Sequence, residues 1–156
     1  MRHSLPLSAL LFSSSMVMAS PSLSQSMVTA SDTDTILNIA RGYGSATLEA
    51  DEVGDPFIRG RIDGVIYVVN FYGCTNSKDC TTIQFRAAWN ETPGVTLGTM
   101  NNWNRDMRFG KAYLDTENGP TIEWDVNLFG GVSATNLDDT FDWWKIILGK
   151  FVSEVM

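Results

Sequence analysis

The stretch at residues 64–89 constrains this chain more than any other. Two runs of strand-forming residues flank a short polar loop, and both cysteines of the chain, Cys74 and Cys80, sit at the loop's base. Successive side chains of a strand alternate between faces. Val65, Tyr67, Val69 and Phe71 therefore share one face, and Ile66, Val68, Asn70 and Tyr72 the other. A strand apolar on both sides is expected inside a sheet, covered at least in part on both faces. The second run is one-sided, with Ile83, Phe85, Ala87 and Trp89 set against Thr82, Gln84, Arg86 and Ala88. Placing Cys74 opposite Cys80 sets Phe71 against Ile83, Val69 against Phe85, Tyr67 against Ala87 and Val65 against Trp89. All four pairs fall on one face, and a slip of one residue would send each to the wrong side. The hydrophobic pattern and the cysteine positions thus agree on one register.

A Cys74–Cys80 disulfide is the expected consequence, since directly opposed strand residues lie near the separation a disulfide spans. In the chain-entropy view so small a loop contributes roughly 2–2.5 kcal/mol. The spacing is not the Cys-X-X-Cys of thiol oxidoreductases. No histidine stands near enough to complete a metal site.

Residues 1–19 have the pattern of a secretory leader: Arg2 and His3, a short apolar run, then Val17-Met18-Ala19 before a cut that leaves Ser20 first. The run is too short and serine-interrupted for a membrane span, and no other stretch is long and apolar enough for one. A periplasmic or secreted location follows, one in which disulfides persist. Residues 20–30 are serine-rich and read as a flexible lead-in, and residues 31–156 as one domain. Losing Arg2 leaves 10 cations against 18 acids, a net charge of about −8. Bulk charge thus disfavours nucleic acid and anionic lipid as partners. His3, the one histidine, leaves with the leader, which removes Ser-His-Asp and Cys-His nucleophile systems and every imidazole metal site. No cofactor motif is present.

In chain order, Asp32-Thr33-Asp34-Thr35 offers caps for a short helix over 34–42. Ala46, Leu48 and Ala50 alternate with polar residues as a one-sided strand. The acids of 51–56 read as a solvated turn, with a weak Ca²⁺ loop as the alternative. Asp63-Gly64 between two apolar runs is a two-residue hairpin signal, pairing Ile62 with Val65, Gly60 with Tyr67 and Ile58 with Val69. The resulting buried face is the one already found. The other face gathers Arg59, Arg61 and Arg86, three of the ten cations, with Asn70, Gln84 and Tyr72. Guanidinium forks suit carboxylate or phosphate, so this is the candidate partner- or anion-binding face. The plainer reading is that Glu49, one strand over, and solvent satisfy them.

Beyond Thr92-Pro93-Gly94, Met100, Trp103 and Met107 recur at helical spacing, with Thr96 or Thr99 as cap and a polar side of Asn101, Asn102, Asn104, Arg105 and Asp106. Asn118-Gly119 signals another hairpin, with Ile122, Trp124, Val126 and Leu128 buried and Tyr113 opposite Trp124. A last helix over 137–155, capped by Asn136, carries the stripe Leu137, Phe141, Trp144, Leu148, Phe151 and Val155. Trp143, Ile146, Ile147 and Val152 widen that stripe, so the helix is either deeply buried or meets another chain. Trp103, Trp124 and Trp143 are candidates for an apolar interface, or for a pocket under the sheet.

The expected fold is α+β: an antiparallel sheet flanked by three helices, in the order α-β-β-β-β-α-β-β-α. The chain resembles the YbjN family of bacterial sensory transduction regulators over about 32–155. The resemblance rests on Asp55-Pro56-Phe57-Ile58, Val69-Asn70-Phe71-Tyr72, Ile83-Gln84-Phe85-Arg86, Met100-Asn101-Asn102-Trp103-Asn104 and Tyr113-Leu114-Asp115. It implies a type III secretion chaperone-like fold, peptide or protein partners, often a homodimer, and no catalytic residues to carry over. The leader and the cysteine pair depart from the family's cytoplasmic pattern. Three functions compete: an exported non-enzymatic module binding a protein or peptide, a small-ligand or stress sensor, and a hydrolase using carboxylates among Asp115, Glu123 and Asp125.

Overall fold

A computed structural model describes residues 26–156. The leader expected over 1–19 and most of the lead-in lie outside them. The lead-in's last residues belong to the fold. Strand β1 (Met27–Val28) pairs antiparallel with β8 (Val132–Ser133), and Val28 and Ala30 are buried. Helix α1 (Thr33–Tyr43) follows, then β2 (Ser45–Ala50), β3 (Pro56–Ile62), β4 (Val65–Tyr72) and β5 (Thr82–Ala88). Helix α2 (Leu97–Asp106) leads to β6 (Lys111–Leu114) and β7 (Pro120–Asn127), and α3 (Ala134–Glu154) closes the chain. The expected order of helices and strands holds, with the short β1/β8 pair added.

The six longer strands form one antiparallel sheet in the order β2-β3-β4-β5-β7-β6. Ile62↔Val65, Gly60↔Tyr67, Ile58↔Val69, Val69↔Phe85 and Phe71↔Ile83 are register partners, as the sequence predicts. Asp63 and Gly64 both take positive φ (49° and 88°), as the tight mirror-image hairpin turn requires. Cys74 and Cys80 form the disulfide across a loop whose tip is the Thr75↔Lys78 bridge.

All three helices serve one face of the sheet. Phe85 meets Phe141 edge-on at 4.9 Å and Trp144 at 5.2 Å, and Trp89 stacks on Phe151 at 5.3 Å. The core stripe of α3 is fully buried from Leu137 through Phe141, Trp144 and Leu148 to Phe151. Tyr43 ties α1 to α3 by stacking on Phe141 and donating its hydroxyl to the Asp138 carbonyl at 2.8 Å. Gly60 is required in β3 because the Tyr67 ring lies across it: a Cβ there would stand 2.3 Å from that ring.

Several expectations are corrected. Among the described residues no element covers the second face of β4, and Ile66 is half exposed. Leu48, on the apolar side expected of the one-sided strand, is exposed, because β2 is an edge strand with only Ala46 buried. Asp32 precedes α1 but its carboxylate turns back to accept from the Thr29 amide and hydroxyl. α3 begins at Ala134, not 137, because Ser133, held extended by β1, caps it through the Asn136 amide. Tyr113 lies opposite Thr121, not Trp124, whose partner is Phe85. The cause is Asp115, whose carboxylate accepts from the Glu117 and Gly119 amides and widens the turn. That odd shift moves Tyr113 to the other face.

Candidate partner-binding face

The same parity that buries one side of the sheet leaves the other, among the described residues, without a helix. Strand register places Glu49, Arg59, Arg61, Arg86, Lys111, Glu123 and Asp125 together there, four cations against three acids in a strongly acidic chain. Arg59 and Arg86 flank Val68 in neighbouring strands, and Asn70 pairs in register with Gln84. The sequence-predicted residues are therefore brought onto one surface.

Most of the charges are partly committed. Arg59 Nε stands 3.3 Å from Glu49, both well exposed, so the pair contributes little to stability. Arg86 Nε is 3.3 Å and Lys111 Nζ 3.1 Å from Glu123, which also accepts from the Tyr113 hydroxyl. Burial pushes the Glu123 carboxyl up, but Tyr113, Lys111 and Arg86 outweigh it and hold the group below the ordinary carboxylate value. Lys111 is raised, chiefly by its bond to Glu123. Burial, then the bond to Glu123, raises Tyr113. Gln84 donates to Asp125 at 2.8 Å and accepts a long bond from the Tyr72 hydroxyl. Asp115 is spent on its turn. Each carboxylate considered for hydrolysis thus has a structural partner.

Arg61 differs. Among the described residues it faces no carboxylate; one guanidinium nitrogen donates to the Gly64 carbonyl at 2.9 Å. With Arg59, Ser45, Thr47 and Ile66 it lines a shallow trough of about 160 Å³ beside β2. Asp51, in the turn considered for Ca²⁺, accepts from the Val53 and Asp55 amides, so its carboxylate shapes the turn.

The tryptophans do not meet under the sheet. Trp103 is buried against Phe151 and donates its indole N–H to the Gly110 carbonyl at 2.9 Å. Trp124 and Trp143 both touch Phe109, which stands between them on the helix side of the sheet. Sequence reading missed two elements. Lys111 and Tyr113 join the open face only through the β5–β7 pairing and the widened turn. Asn104, expected on a polar side, donates to the Ala112 carbonyl at 2.9 Å and accepts from the Ala112 amide at 2.8 Å, binding α2 to the edge of β6.

Among the described residues the chain is thus a helix-backed antiparallel sheet whose other face carries paired charges and a trough. No helix among the described residues is long and apolar enough to cross a membrane. The model of the YbjN family, described as "Putative bacterial sensory transduction regulator", matches residues 32–155, and the chain belongs to that family. No curated protein matches it.

Proposed function

We propose that this protein is an exported, non-enzymatic regulatory module that recognises a protein or peptide partner on the open face of its sheet. The observation that carries the reading is the one-sided placement of the helices. Among the described residues it leaves Arg59, Arg61, Arg86, Asn70, Gln84 and Tyr72 on a face that no helix covers. Membership in a family of sensory transduction regulators supports the regulatory role. The Cys74–Cys80 disulfide and the leader read over 1–19 support export. The partner that fits is an extended acidic segment, its carboxylates taken by Arg61 and by Arg59 in exchange for Glu49. The chaperone-like resemblance adds a homodimer as the working assembly.

The test uses the mature oxidised protein and its Arg59→Glu/Arg61→Glu variant as bait, with Lys78→Glu as a charge control at the disulfide loop. Hydrogen exchange on the recovered complex should protect β3 and β4. Binding should fall at least roughly tenfold in the double variant, the loss of two charge-assisted contacts, and hold in the control. A partner kept undiminished by the double variant, or one that protects only the helices, overturns the reading.

A further inference from the structure

On α3, Trp143, Ile147 and Lys150 lie on one stripe at i, i+4 and i+7, beside the stripe that meets the sheet. Facing them runs the connector from α2 to β6, Met107, Arg108 and Phe109. Together they line a cleft of about 200 Å³. Its aromatic wall is Phe109 and Trp143, which meet edge-on at 5.4 Å, with Trp124 behind them stacking on Phe109 at 4.8 Å. The Arg108 guanidinium lies 5.0 Å from the Phe109 centroid and 5.4 Å from that of Trp143. Among the described residues neither Arg108 nor Lys150 has a carboxylate partner. The one acid of the cleft, Asp106, is held by Arg105 through two 2.7 Å bonds.

We infer that this cleft binds a small planar aromatic carboxylate, its ring against Trp143 and Phe109 and its carboxylate on Arg108 and Lys150. The size falls below that of drug-sized pockets, which limits the occupant to one or two rings. An aromatic wall favours a ring over an aliphatic chain. Two cations at the rim, Arg108 and Lys150, that pair with no carboxylate among the described residues select a carboxylate, with which a guanidinium makes a bidentate pair. A cationic ring would meet both charges unfavourably.

The probe is 2-naphthoate, with 2-naphthamide as its neutral isostere, titrated into the ¹⁵N-labelled mature oxidised protein. The indole N–H signal of Trp143 should move. Those of Trp103, bonded to Gly110, and Trp144, buried in the core, should hold. The acid should bind roughly tenfold more tightly than the amide, and Arg108→Gln and Lys150→Gln should each weaken it several-fold. Both side chains are exposed, so these variants keep the fold. Arg61→Glu should leave naphthoate binding unchanged, which separates this site from the open face. A Trp143 signal still to millimolar acid, equal binding of acid and amide, or indifference to the Arg108→Gln/Lys150→Gln double change overturns the inference. In those cases Arg108 is only packed on its rings.

Discussion

Replacing Asn104 by alanine should loosen one end of the sheet. β6 is an edge strand, and an edge strand exposes backbone groups that ask for a partner. Ala112 directs its N–H and C=O away from β7, and the Asn104 amide answers both, standing in for a missing neighbour strand. Each bond contributes about 0.5–1.5 kcal/mol net, so Asn104→Ala should cost about 1–3 kcal/mol. In urea that is a midpoint lowered by roughly 1 M. The Ala112 amide should exchange faster by a larger factor than the amides of β4. Asn104→Asp keeps the shape and the acceptor but sets a carboxylate against the Ala112 carbonyl. It should be as harmful as alanine at neutral pH and recover below about pH 4, where protonation restores a donor. An alanine variant within about 0.5 kcal/mol of the parent, the error of the extrapolation, with Ala112 exchange unchanged, would refute the assignment of Asn104 as an edge clasp.

Three further outcomes follow from the structure. Gly60→Ala should destabilise by about 1–3 kcal/mol through the Tyr67 ring, whereas Tyr67→Phe, which removes a buried hydroxyl with no partner among the described residues, should be neutral or stabilising; thermal melts of both variants check this. Cys74→Ser/Cys80→Ser should lower stability by about 2 kcal/mol without changing the far-ultraviolet spectrum, and full parental stability in the double variant would show the latch to be idle. The Glu123 carboxyl titrates lower in the folded chain than its ordinary value of 4.5, so its stabilisation is present above that pH and is lost as pH falls through the folded value. The stability gap between parent and Glu123→Gln should therefore be widest near neutrality and close in acid, and a gap independent of pH would contradict the network.

What could be read from the residues was what local chemistry determines. The β3-β4-β5 register followed from Asp63-Gly64, from the cysteine positions and from side-chain parity, each a short-range constraint. The arginine face followed from the same parity. The hairpin after β6 departs from the expectation because Asn118-Gly119 has the signature of a two-residue turn, whereas Leu114 pairs with Pro120. The signal that could have corrected it is Asp115, three residues earlier, whose carboxylate caps the wider loop. The Glu123 network needs β5 beside β7, a pairing across α2 and β6 that no local pattern encodes. Asn104 was assigned to a polar side by helical period alone. A period says which way a side chain points, not that a strand edge waits there.

The breadth of the last helix can now be divided among its neighbours. Leu137, Phe141, Trp144, Leu148 and Phe151 serve the sheet and α1, and Ile147 is buried between that stripe and the Phe109 cleft. What remains is Ile146 and Val152, each 38% exposed. They stand six residues apart, well around the helix from one another, so they form no continuous stripe. Isolated apolar side chains are ordinary on a surface, whereas a helix that docks a second chain presents a contiguous patch. The apolar excess of α3 is thus accounted for within its own chain. That shifts the expectation for a protein partner to the other side of the molecule, where recognition would run through charge pairs on the open face. It should therefore weaken with salt, as contacts between exposed charges do. A complex whose affinity is indifferent between 0.05 and 0.5 M salt, concentrations spanning roughly a threefold change in screening length, would return the search to the helices.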